Sequence, residues 1–146
     1  MIARSLFFAA AALAVATSAW SQSDLAAKAA KEPGAQVTPS GLVFRSLKEG
    51  TGASPQASDK VRVHYRGTFA DGKEFDSSYS RGQPAEFPLD RVIKCWTEGV
   101  QLIKVGGKAK LTCPPAIAYG ERGAGSVIPP GATLQFEVEL LGIASR

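Results

Sequence analysis

Between residues 61 and 68 apolar and polar side chains alternate one for one. Val61, Val63 and Tyr65 fall on one face, and Arg62, His64 and Arg66 on the other. A period of two marks a strand with one face buried. The alternation returns at 42–47, at 108–113 and at 133–143, where Leu134, Phe136, Val138 and Leu140 share a face. Asp71 and Gly72 predict a tight hairpin turn after the 61–68 strand, and 73–76 begins its return. Only one stretch changes period. Ile93, Trp96, Val100 and Ile103 recur every three or four residues across 92–105, which predicts an amphipathic helix ended by Gly106 and Gly107. Segments 77–88 and 114–130 are polar or rich in Gly and Pro and read as loops, with an irregular strand near Phe87. The expectation is an α+β domain over 41–146, with four or five antiparallel strands packed against one short helix.

Upstream the pattern weakens. Residues 23–32 are good helix formers, but Leu25 is their only large apolar side chain, and Pro33 and Gly34 end the run. Residues 22–40 are therefore expected to be a flexible or weakly helical lead-in. Residues 1–21 read as a cleaved signal peptide. Arg4 supplies a positive start, 6–16 an apolar stretch, and Ala19 and Ser21 the small residues that a signal peptidase reads. Cleavage is expected near Ser21, with Ala19 as the alternative. The uncharged run barely reaches spanning length and is rich in Ala and Ser, so no stable membrane insertion is expected after cleavage. The implied location is periplasmic or secreted.

Composition narrows the chemistry. The chain of 146 residues is 45% hydrophobic and 21% charged, ordinary values for one globular domain. Its net charge of +4 is mild. The densest cations are Lys104, Lys108 and Lys110, too few for a nucleic-acid arm. Export to an oxidising compartment makes Cys95 and Cys113 read as a disulfide contributing ~3 kcal/mol. The alternative is two buried thiols packed as small hydrophobes. Two Cys and one His do not make a zinc set, so no metal is expected. His64, the only histidine, would have to serve any Ser–His or Cys–His nucleophile, and it reads instead as an exposed or edge polar residue. No phosphate-cradling loop and no carboxylate pair is evident. No cofactor is expected.

What stands out is a set of aromatic residues drawn from different elements: Tyr65, Phe75, Phe87, Trp96, Tyr119 and Phe136. Their surroundings form ordered motifs: VRVHYRG at 61–67, GKEFDSS at 72–78, VIKCWTEG at 92–99, AYG at 118–120, IPP at 128–130 and TLQFEVELL at 133–141. In this order and spacing they resemble the FKBP family of peptidyl-prolyl cis/trans isomerases over nearly the whole domain. The resemblance implies a twisted antiparallel sheet wrapped around one short helix. It also implies catalytic positions at Tyr65, Asp76 and Tyr119. Substrate-binding positions fall at Phe75, Arg81, Phe87, Val92, Ile93, Trp96, Ile128 and Phe136. Three departures stand in these motifs. Ala85 replaces a frequent aromatic wall, and Cys95 and Cys113 occupy positions that family geometry brings together, in keeping with a bridge.

The resemblance further implies an isomerase that assists the folding of exported proteins by twisting X–Pro amides in a dry pocket, without covalent catalysis. Its partners would be proline-containing polypeptides, with macrolide inhibitors such as rapamycin as ligands, no nucleic acid, and a monomeric state. The alternative is a chaperone or binding module on the same fold that needs no turnover.

Overall fold

The 61–68 alternation becomes the strand around which the sheet is organised. In the computed structural model, which describes residues 23–145, this strand is β3, Lys60–Thr68. Two strands precede it, β1 (Ala35–Val37) and β2 (Val43–Lys48). It is followed by β4 (Glu74–Ser77), β5 (Ala85–Pro88), β6 (Lys108–Cys113) and β7 (Leu134–Ser145). The helices are α1 (Ser23–Ala30), α2 (Ser78–Arg81) and α3 (Lys94–Val100), with 3-10 turns at Leu89–Arg91 and Pro115–Ile117. The expected signal peptide lies outside the described residues.

All strand pairs are antiparallel, in the order β1-β2-β6-β7-β3-β4. β7 lies along the whole of β3, from Lys60 opposite Ser145 to Thr68 opposite Gln135. The other side of β3 is shared. β5 pairs with Lys60 to Val63, and β4 pairs with Arg66 to Thr68. Between them the chain steps out through α2, where the Ser77 side chain caps the Ser80 N–H. Seven strands thus form where four or five were expected. β1 is too short to display a period, and β5 is the irregular strand expected near Phe87, made regular by pairing with β3.

The buried faces agree with the alternation. Val61, Val63 and Tyr65 are buried, as are Leu134, Phe136, Val138 and Leu140. The helix is shorter than the predicted 92–105. Val92 and Ile93 are extended (ψ 176° and 152°). Beyond Val100 the chain tightens into i→i+3 bonds, Leu102 N–H to Gly99 O and Ile103 N–H to Val100 O, each 3.0 Å. The three- and four-residue spacing of Ile93, Trp96, Val100 and Ile103 therefore records their approach to one core, not continuous helical backbone. Gly99 explains how closely α3 lies on β6. A Cβ there would stand 2.8 Å from Leu111 Cδ2, so the helix accepts a residue that costs ~1 kcal/mol of propensity. A disulfide between Cys95 and Cys113 joins the first turn of α3 to the end of β6.

The described part of the lead-in contains the helix α1 and is attached by small and polar groups. Ala29 is buried. Glu32 meets Lys110 Nζ at 3.2 Å and Arg45 Nη1 at 3.6 Å, and β1 pairs with β2. Among the described residues no helix is long and apolar enough to cross a membrane.

Candidate active site

Trp96 sits in the first turn of α3, next to the bridged Cys95, and is only 4% exposed. Three rings stand edge-on to it. Tyr65 from β3 is 5.2 Å away between centroids, and Phe87 from β5 and Phe136 from β7 are each at 5.5 Å, all with planes within about 5° of perpendicular. Such edge-to-face contacts each contribute ~0.5–1.5 kcal/mol beyond burial. Phe75 from β4 extends the cluster, edge-on to Phe136 at 5.6 Å. Gly67 makes room for that wall: a Cβ there would lie 2.6 Å from Phe75 Cζ and 3.0 Å from Phe136 Cε1. Trp96 Nε1 is buried without a hydrogen-bond partner among the described residues. The floor thus holds a donor withdrawn from water.

Above this floor is a cavity of about 470 Å³. Tyr65, Phe75, Phe87, Trp96 and Phe136 line it, together with Val92, Ile93, Asp76 and Tyr119. Ile128 is buried in the same cluster as Trp96 and Phe136 and bridges to Ala124. Arg81 reaches the cavity residues Asp76 and Tyr65 through hydrogen bonds. Arg91 lines the cavity and was not anticipated. It lies one residue before the 92–99 motif, and a lone exposed cation gives no periodic signal.

The polar equipment is a closed triangle. The Tyr65 hydroxyl donates to Asp76 Oδ2 at 2.5 Å. Arg81 Nη1 donates to Asp76 Oδ1 at 2.6 Å, and Nη2 donates to the Tyr65 hydroxyl at 3.0 Å. Burial pushes the Asp76 carboxyl up, but hydrogen bonds from Tyr65 and Arg81 outweigh it and hold the group below its ordinary value. Burial first, then the bond to Asp76, raises the Tyr65 phenol above its usual value. Both carboxylate oxygens are engaged and the carboxylate is a weakened base, so Asp76 offers a fixed dipole to the cavity and little capacity to take a proton. Ile93 N–H, at the start of α3, has no partner among the described residues.

His64 lies on the opposite face of β3. Its Nδ1 is 2.8 Å from Ser78 Oγ, and its ring stacks on Tyr79 at 4.6 Å. It takes no part in the cavity. Among the described residues no cluster of three or more His, Cys, Asp or Glu could hold a metal. What remains is an apolar slot with one neutralised carboxylate and an unengaged backbone donor. Such a site holds a small ring and the polar chain beside it, and it carries no nucleophile paired with a base.

This fold and slot define a sheet-and-helix domain with a preformed aromatic cavity at the start of α3. A family profile described as FKBP-type peptidyl-prolyl cis-trans isomerase matches residues 52–141. FkpA of Aeromonas hydrophila, an FKBP-type peptidyl-prolyl cis-trans isomerase, is 59% identical over 119 residues, covering 82% of this chain and 44% of that protein. The FKBP-type 22 kDa isomerase of Escherichia coli K12 is 56% identical over 114 residues, covering 78% and 55%. The crystal structure of Escherichia coli FkpA superposes with a TM-score of 0.81 at 50% identity, covering 84% of this chain and 57% of that one. A peptidyl-prolyl isomerase structure from Pseudomonas syringae gives 0.78 at 39% identity, covering 84% and 90%. The chain belongs to the FKBP-type peptidyl-prolyl cis-trans isomerase family. It spans about half the length of the curated relatives it matches.

Proposed function

We propose that the chain is a peptidyl-prolyl cis/trans isomerase acting on X–Pro bonds of exported polypeptides. The observation that carries this reading is the aromatic slot, whose lining carboxylate among the described residues, Asp76, is already held by Tyr65 and Arg81. Rotation about X–Pro must break amide resonance against a barrier of about 20 kcal/mol. No bond is made or cut. In the twisted state nitrogen and carbonyl lose conjugation and the amide is less dipolar. A dry aromatic surround favours that state over the planar amide, whose larger dipole prefers water.

In this reading Trp96 and Phe136 take the proline ring, with Phe75, Phe87 and Val92 as walls. Ile93 N–H and the Tyr119 hydroxyl fix the flanking carbonyls, so that rotation is confined to one bond. Asp76, oriented by Tyr65 and Arg81, sets the field at the twisted carbonyl. Its pairing supports an electrostatic role and argues against proton transfer. The reading includes activity as a monomer, and the slot suits macrolides such as rapamycin. The disulfide fits an oxidising compartment, in keeping with export directed by residues 1–21 and cleavage near Ser21.

The test is isomerisation of a short X–Pro peptide by the mature protein, with and without rapamycin. Macrolide-sensitive acceleration is expected, and Asp76→Ala with Trp96→Ala should abolish it. Folded protein that binds clients but gives no acceleration would replace this reading with a non-catalytic binding module.

A further inference from the structure

Arg91 is the cavity residue that no part of the isomerase reading uses. Its backbone is tightly placed. It closes the 3-10 turn Leu89–Arg91, whose Leu89 is fully buried. The Leu89 N–H donates to Asp59 O at 3.0 Å, and Leu89 O accepts from Thr97 Oγ1 at 2.6 Å. The two residues that follow are Val92 and Ile93, both cavity wall. The turn therefore sets Arg91 against the cavity on a backbone that packing holds still.

The charge it carries is uncompensated. Arg91 has no hydrogen bond or ion pair with any described residue, including its exposed neighbour Asp90. Asp76, the other charged lining residue, is paired with Arg81 at 2.6 Å. Lys94, exposed beyond Ile93, adds charge of the same sign. Asp90 apart, the charged residues that flank the lining pair Val92 and Ile93 are both cations. A guanidinium recognises a carboxylate by paired N–H donation, which a lysine does not reproduce.

We propose that Arg91 is a specificity-determining residue that favours substrates carrying an acidic side chain next to the X–Pro pair. The proposal rests on the isomerase reading for its kinetic form. The partner charge remains in contact with water, so the preference is modest, about two- to fivefold, and it weakens with salt.

The experiment uses the mature protein and X–Pro peptides with Glu, Gln or Lys at the flanking positions on either side. The readout is the Glu-to-Lys ratio of kcat/KM in wild type, Arg91→Gln and Arg91→Glu, each at low and high salt. A ratio of about two to five is expected in wild type. It should fall towards one in Arg91→Gln, invert in Arg91→Glu and shrink in salt. A change that merely loosened the slot would lower all three peptides together and leave the ratio standing. A wild-type ratio of one, or a ratio unchanged in Arg91→Gln, overturns the proposal. The same peptides titrated by calorimetry give the ratio as Kd values without turnover. A lack of isomerisation of every peptide would therefore sink the enzymatic reading while still deciding the role of Arg91.

Discussion

The Cys95–Cys113 bridge can be tested with little else disturbed. Both residues are fully buried and 18 positions apart in sequence. Chain-entropy arguments assign ~3 kcal/mol to a closed loop of about 15 residues, and the value grows only logarithmically, so about 3 kcal/mol is expected here. Reduction leaves two thiols in the same apolar pocket with nearly the same volume, so the change isolates the tether. Replacement by Cys95→Ala with Cys113→Ala adds a loss of packing and should cost more. At roughly 4 °C per kcal/mol for a domain of this size, the oxidised protein should melt about 12 °C above the reduced one. The assay is urea unfolding of both forms, followed by tryptophan fluorescence, with thermal melts alongside. The slope with urea should change little while the midpoint moves. A shift under ~1 kcal/mol, within the range of an ordinary single substitution, would refute the view that the bridge anchors the pocket floor to β6.

Other outcomes follow from the Tyr65–Asp76–Arg81 triangle. Tyr65→Phe keeps the ring contacts to Trp96 and Phe87 and removes both hydroxyl bonds. Asp76 and Arg81 are 42% and 48% exposed, so water replaces much of what is lost. The cost should be ~1 kcal/mol of stability and about fivefold in kcat/KM, and an unchanged kcat/KM would remove the oriented carboxylate from the mechanism. Asp76 titrates below its unfolded value of 3.8, so its contribution to stability is present above that pH and is lost as pH falls through the lower folded value. Tyr65 titrates above 10.0, so its contribution is present below pH 10.0 and fades as pH rises through the higher folded value. Urea midpoints measured against pH should show both limbs. Tyr65→Phe should reduce the alkaline limb without abolishing it, because Tyr79 is also raised, by burial and by Glu139. An alkaline limb of unchanged size in Tyr65→Phe would show that the phenol is not the group responsible.

The strands with one buried face were legible because their side chains alternate with backbone geometry, as Val61, Val63 and Tyr65 do. The helix was located but overdrawn, since Ile93 and Ile103 share its core without sharing its backbone. The attachments of α1 and β1 leave no trace in the pattern, because Ala29 and Glu32, which hold them, are too small or too polar to mark a buried face. α2 hid in a polar run because a serine cap and a single turn leave no period. Most cavity residues were readable through family motifs. Ile128 shares the buried cluster of Trp96 and Phe136, and only its motif, not its loop's pattern, pointed to it. Arg91 was missed because a charged residue lining a cavity leaves no trace in hydrophobic pattern.

The borders of the sheet carry a consequence for how unfolded chains can meet this protein. One border is β1, three residues long; the other is divided between β4 and β5, four residues each, with α2 standing between them. Neither presents a long row of free N–H and C=O groups on which a stretched polypeptide could lie down as an extra strand. That mode of capture ignores sequence and tends to seed aggregates. Among the described residues, then, recognition of another chain cannot lean on an added strand, and the sheet is a poor template for aggregation.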